Sequence, residues 1–152
     1  MNKLNFLLLI FFVSCSSPNC DIVIQNGTVI DGTGSPRFIG TVAITNDKIV
    51  YVGPKKSFSA EKTIDARNKI VSPGFINMLS WGYNTLLEDG RSLSDLKQGV
   101  TLEIFGEGNS PGPVGKIGGK DFIGFGDAME KLVKNGVSPN IASFLGATNV
   151  RK

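Results

Sequence analysis

Glu107 is the side chain best placed by its sequence context to do chemistry. It follows the apolar run Val100-Thr101-Leu102-Glu103-Ile104-Phe105 and sits in Gly106-Glu107-Gly108-Asn109. A carboxylate at the exit of an apolar strand can bind a divalent cation or accept a proton as a base. A solvated loop glutamate has the same local sequence, so pattern alone leaves both roles open. Asn109, two residues on, and Trp81, in Ser80-Trp81-Gly82-Tyr83, are candidates to line a substrate; packing is the other role open to Trp81. Glu103 lies inside the strand and needs a polar partner if its face is buried, and the sequence names none. The chain contains no histidine. That excludes a Ser-His-Asp or Cys-His nucleophile within these residues, and any zinc site built on imidazole.

The elements that must position these residues are alternating strands and helices. Ile70-Val71-Ser72-Pro73-Gly74-Phe75-Ile76-Asn77-Met78-Leu79 reads as a buried strand passing through a Pro-Gly, with Ser80 to Tyr83 as its exit loop. Ser92 resembles a helix cap, with Asp95 three residues later and Gly99 as the stop. Val100 to Phe105 is the next strand. Phe122, Phe125, Met129, Leu132 and Val133 recur at helical spacing, and Gly136 with Pro139 ends that helix. Asn140 to Ala147 predicts a third buried strand, leaving through Gly146-Ala147-Thr148-Asn149. Near-continuous apolar strands separated by helices indicate a parallel βαβ arrangement, in which chemistry gathers at the carboxyl ends of the strands.

Residues 21–72 differ in composition. Asp21 to Gln25 and Thr28 to Ile30 flank Asn26-Gly27, which predicts a hairpin; Thr41 to Thr45 and Lys48 to Val52 flank Asn46-Asp47, which predicts a second. Two shorter extended pieces, Lys62 to Asp65 and Lys69 to Val71, surround Ala66-Arg67-Asn68. About six short strands and no helix are expected. Gly32-Thr33-Gly34 could suggest a phosphate cradle, but no helix follows to direct its N-terminus at a phosphate, so it is read as a tight connection.

The first residues read as an address. Lys3 precedes the apolar run Phe6 to Val13, which then gives way to Ser14-Cys15-Ser16-Ser17-Pro18. The run is shorter than the roughly 20 residues a membrane-spanning helix needs. Phe12-Val13-Ser14-Cys15 resembles a bacterial lipobox, so residues 1–14 are expected to be a signal peptide and 15–20 a tether lipidated at Cys15. The protein would then be exported and held on a lipid bilayer, in the periplasm or at the cell surface. The alternative is an ordinary cleaved signal, with Cys15 free or bonded to Cys20.

Composition sets wider bounds. With 152 residues, 41% of them hydrophobic, the chain has apolar material for one globular domain. Its 16 Lys plus Arg against 13 Asp plus Glu are scattered, with no basic patch interleaved with aromatics, so a nucleic-acid partner is not expected.

Three stretches carry a family likeness: Asp21-Ile22-Val23-Ile24-Gln25-Asn26-Gly27-Thr28-Val29-Ile30-Asp31-Gly32-Thr33-Gly34, Pro73-Gly74-Phe75-Ile76-Asn77, and Gly99-Val100-Thr101. On these the chain resembles the amidohydrolase superfamily, and within it the N-acyl-D-amino-acid deacylases, or D-aminoacylases. The resemblance implies an α/β protein: a β-sandwich part over residues 21–72, followed over 73–152 by the first three βα units of an incomplete (β/α)8 barrel. It also implies zinc or another divalent metal that activates water, and hydrolysis of the C–N bond of an N-acyl amino acid or related amide.

The departures from the family are specific. Its first barrel strand ordinarily ends in Asp-x-His-x-His; here the text is Asn77-Met78-Leu79-Ser80-Trp81, so Leu79 and Trp81 stand at the two ligand positions. Gly108 aligns with the family's cysteine ligand, and Glu107 is the neighbouring residue that could substitute as an oxygen ligand. A whole barrel takes roughly 250 residues, whereas 73–152 is 80. The expectation is an N-terminal portion of such an enzyme that does not turn over by itself. A non-catalytic surface lipoprotein that binds a ligand or partner is the alternative.

Overall fold

The computed structural model describes residues 19–115 and 123–151. The expected signal peptide over residues 1–14, the expected lipidation at Cys15, and Phe122 lie outside them. The protein forms two compact units, which meet in sequence at Pro73 and Gly74.

The first unit is one sheet. Strands β1 (Asn19–Val29), β2 (Phe38–Thr45), β3 (Lys48–Pro54) and β4 (Ser59–Asp65) lie in the order β3-β2-β1-β4, and β5 (Ile70–Val71) also pairs with β1. β2 and β3 form the expected hairpin around Asn46, which takes the left-handed conformation at φ 52°. Buried Cys20, Val23 and Ala43 make the core, with Tyr51, Phe58 and Ala60 packed on them.

Asn26-Gly27 makes no hairpin turn, contrary to expectation. β1 runs straight through it, and the register against β2 slips between Gln25 and Gly27. Asn26 adopts φ 64°, a conformation asparagine tolerates, and its amide donates to Asp65 Oδ1 at 3.1 Å. Gly27 is required by close approach, since a Cβ there would lie 2.5 Å from Val71 Cγ2. The bulge thus lets β1 pair in parallel first with β4, as far as Gln25 opposite Asp65, and then with β5 from Thr28 opposite Ile70. A pair of residues that signals a hairpin serves here to switch partners. Gly32-Thr33-Gly34 is a connection: Asp31 Oδ1 accepts from the Thr33 amide and hydroxyl, which closes the turn on itself and lowers the pKa of Asp31.

The second unit has a three-stranded parallel sheet, β6 (Phe75–Asn77), β7 (Val100–Phe105) and β8 (Asn140–Ser143), ordered as in the sequence. Helices α1 (Tyr83–Glu88) and α2 (Leu93–Lys97) connect β6 to β7, α3 (Phe125–Asn135) precedes β8, and α4 (Ala147–Val150) follows it. Buried Leu86, Phe105 and Leu132 form the core, flanked by Tyr83, Leu87, Val137 and Ile141. α3 stops at Gly136, whose left-handed backbone (φ 80°) lets its N–H donate to Leu132 O and Val133 O.

Three expectations are corrected here. The apolar run from Ile70 to Leu79 is not one buried strand: Ser72-Pro73-Gly74 divides it, β5 joins the first sheet, and β6 joins the second. β6 hydrogen-bonds to β7 on one side, and Phe75, Ile76, Met78 and Leu79 are all more than half exposed. Ser92 does not cap α2; it takes φ 45°, and its hydroxyl turns to Glu103 instead. The third strand ends at Ser143, and Ala147–Val150 is helical, with Asn149 bonded to Ser110 in the loop after β7.

Candidate functional site

The carboxyl ends of β6 and β7 open into a cleft of about 500 Å3. Trp81, Glu107 and Asn109 all line it, so three residues singled out from the sequence meet in one place. Phe105 is a buried part of the lining, Leu79 and Leu87 add apolar surface, and Lys131 of α3 contributes a cation. Trp81 is 68% exposed, and its ring atom Cη2 lies 3.7 Å from where a Cβ on Gly108 would stand. The positions that the family likeness marks as ligand sites on two different strands are therefore neighbours in space, and they carry an indole and a glycine.

The backbone on either side of Trp81 is held by Glu103. This residue is 2% exposed, yet both its oxygens are satisfied: Ser80 Oγ donates to Oε2 at 2.7 Å and Ser92 Oγ donates to Oε1 at 2.6 Å. Ser80 Oγ in turn accepts from the Gly82 amide at 3.1 Å. A Cβ on Gly82 would lie 2.8 Å from Glu103 Oε2 and 3.0 Å from Ser80 Oγ, so the clamp requires glycine there. One buried carboxylate thus fixes both residues beside Trp81 and the entry to α2.

Asn149 holds the other rim. Its Oδ1 accepts from the Ser110 amide at 2.9 Å, and its Nδ2 donates to Ser110 O and Pro113 O at 3.2 and 3.1 Å. Thr148 Oγ1 lies 2.7 Å from Asn109 Oδ1 and 2.8 Å from Gly108 O. The loop carrying Glu107 and Asn109 is therefore fastened to the segment after β8. The roles of Ser80, Ser92 and Asn149 escaped sequence reasoning, although a glutamate inside an apolar strand was a sign that polar partners such as the two serine hydroxyls had to exist.

Titration shifts in this unit fall on Asp89, Arg91 and Tyr83, and of these Tyr83 lines the cleft. Hydrogen bonds from the Arg91 side chain and amide bring Asp89 down to about 2. Burial raises the Tyr83 phenol, which donates to Ala128 O at 3.3 Å.

These side chains do not fit a divalent metal. Glu107 stands as a single carboxylate, Asn77 gives its amide to Asp95 Oδ1, and no group of three His, Cys, Asp or Glu converges among the described residues. A protein site for zinc needs three or four such donors.

A parallel sheet in sequence order, with helical connections and a cleft at its carboxyl ends, is an α/β arrangement. No family model matches the sequence. The D-aminoacylase of Alcaligenes xylosoxydans xylosoxydans is 26% identical over 144 residues, covering 86% of this chain and 30% of that enzyme. N-acyl-D-glutamate deacylase from Bordetella bronchiseptica, solved with zinc and a phosphonate mimic of the tetrahedral intermediate, superposes with a TM-score of 0.77 at 26% identity, over 88% of this chain and 31% of its own. A D-aminoacylase structure described for its binuclear metal centre gives 0.76 at 31% identity, over 87% and 31%. Over this portion the chain is similar in both sequence and fold to D-aminoacylases and other N-acyl-D-amino-acid deacylases. It spans about three tenths of the length of the relatives it matches.

Proposed function

We propose that this chain is a portion of an exported amidohydrolase that hydrolyses the C–N bond of N-acyl amino acids or related amides, and that its 152 residues do not turn over by themselves. The observation that carries this reading is the superposition of 88% of the chain on a zinc-bound deacylase structure, at a TM-score of 0.77. In the longer protein, residues 19–73 are one layer of the β-sandwich and 74–151 the first βα units of the barrel. Trp81 and Asn109 line the substrate's path at the strand ends. A metal bound by the relatives' full donor set would activate water; the residues here do not assemble that set, and no step of the hydrolysis is assigned to them. Cys15 is the lipid attachment point, which holds the protein on a bilayer in the periplasm or at the cell surface.

An immunoblot of the native protein, combined with deacylase assays on it with added zinc, tests this reading. A band several times larger than 16.2 kDa with zinc-stimulated release of amino acid supports it. A native band at 16.2 kDa that remains folded and inactive refutes it. In that case the chain is a ligand-binding lipoprotein, a reading that Leu79 and Trp81 at the ligand positions favour.

A further inference from the structure

Asparagine followed by glycine occurs twice in the chain, at Asn26-Gly27 and at Asn135-Gly136. Glycine has no side chain to shield its peptide nitrogen, so such a pair can deamidate spontaneously in water. The glycine nitrogen attacks the asparagine Cγ, the bond from Cγ to Nδ2 breaks, and ammonia leaves with the proton that the peptide nitrogen gives up. Water then opens the cyclic imide at either carbonyl, which yields aspartate or, with an extra carbon in the main chain, isoaspartate. We propose that Asn26-Gly27 is a latent site of this modification: the folded sheet protects it, it converts when the first unit opens, and isoaspartate there prevents β1 from pairing again. The inference is independent of any hydrolysis by a longer protein.

The two pairs are held differently. At Asn26 the main chain is fixed on both sides: Ala66 N donates to Gln25 O and Thr28 N donates to Lys69 O, each at 2.9 Å, while Gln25 and Gly27 lie opposite Thr41 and Gly40 of β2. The leaving amide is occupied as well, since Asn26 Nδ2 donates to Asp65 Oδ1 at 3.1 Å. Bringing Gly27 N onto Cγ requires rotating the peptide between them, which disrupts these bonds together. Asn135 is exposed at the last residue of α3, a helix end that frays, and its side-chain contact with Leu87 O is 3.5 Å long. Gly136 N is restrained through Leu132 O and Val133 O of that last turn. Position 26 also has no room for isoaspartate. A Cβ on Gly27 would already lie 2.5 Å from Val71 Cγ2 and 3.0 Å from Ala66 Cβ, so an added main-chain carbon forces the Gly27 peptide and β5 apart. Either product replaces the donor that holds the Asp65 carboxyl below its usual range with a second carboxylate.

Asn135 serves as the internal standard. The full chain is incubated in buffer and in guanidinium chloride at the same pH, then digested, and the peptides holding Asn26 and Asn135 are followed by mass spectrometry. In buffer Asn26 should convert at least about tenfold more slowly than Asn135, because it reacts only from the opened state. In denaturant the two should convert at similar rates. The Asn135→Gln chain, aged in denaturant until Asn26 has converted and then returned to buffer, should lose the far-ultraviolet circular dichroism of the first sheet in proportion to its isoaspartate content at position 26, while freshly unfolded chain refolds. Asn26→Asp, which brings the carboxylate without the extra carbon, should refold, because the pair with Asp65 is solvent-exposed. Asn26 converting as fast as Asn135 in the folded chain overturns the proposal. So does aged chain that refolds with isoaspartate in place, or an unfolded chain in which Asn26 does not convert.

Discussion

The second unit uses one carboxylate in a way that the first does not. In residues 19–73 the carboxylates of Asp31 and Asp65 lie at solvent, where they accept hydrogen bonds from nearby amides and side chains and shape turns. In residues 74–151 Glu103 is buried, and two serines distant in sequence converge on it. A surface carboxylate that fixes a turn is replaceable, because water satisfies whatever is lost. A buried one ties separate segments together, and its removal takes the acceptor from two serine hydroxyls that are buried or partly buried. The candidate site is built in the unit that holds the buried one.

Substitutions can break this contrast. Leu132 is fully buried against Leu86 and Phe105, so Leu132→Ala should destabilise the second unit by about 3 kcal/mol. Urea unfolding followed by Trp81 emission would show it as an earlier midpoint. Glu103→Leu should cost about 2 to 3 kcal/mol by the same reading, through the two orphaned serine hydroxyls, and should shift Trp81 emission even in the folded state. An unchanged spectrum would separate the carboxylate from the placement of the indole. Val23→Ala, in the core of the first unit, should cost about 2 kcal/mol in far-ultraviolet circular dichroism while leaving native Trp81 emission as it was. Gly82→Ala should cost about 1 to 2 kcal/mol, because the new Cβ crowds the Ser80–Glu103 pair.

The smallest effect is at Asp89. Its folded pKa of about 2 lies below the ordinary value of 3.8 because of Arg91. Any stability it adds is therefore complete above the ordinary carboxylate range and is lost as pH falls through about 2. Both side chains are solvent-exposed, so the effect on stability should be slight. NMR titration should place the Asp89 carboxyl near 2 in the native protein, and Arg91→Ala should return it towards 3.8.

The sequence made the local elements legible where periodicity was strong. The β2–β3 hairpin, the parallel strands around Phe105 and Ile141, and the helix ending at Gly136 could all be read from pattern. So could the meeting of Trp81, Glu107 and Asn109, because strand exits in a parallel sheet share one end. Asn26-Gly27 misled, because left-handed asparagine and close-approach glycine suit a bulge as well as a hairpin turn. Ser92 misled for a related reason: its hydroxyl had a choice between the helix N-terminus and Glu103, and only tertiary folding selects one of them. Ser80, Ser92 and Asn149 act across 11 to 39 residues of sequence, which no local pattern reports.

The ends of two strands, at the positions the family likeness marks as metal ligands, are brought together here with an indole lying against Gly108. A nuclear Overhauser measurement between the Trp81 ring proton at Cη2 and the Gly108 Hα protons tests it most directly. The account predicts a strong cross-peak in the native protein, weakened when Glu103→Leu releases the segment around Trp81. A native, folded protein with no such cross-peak would contradict it.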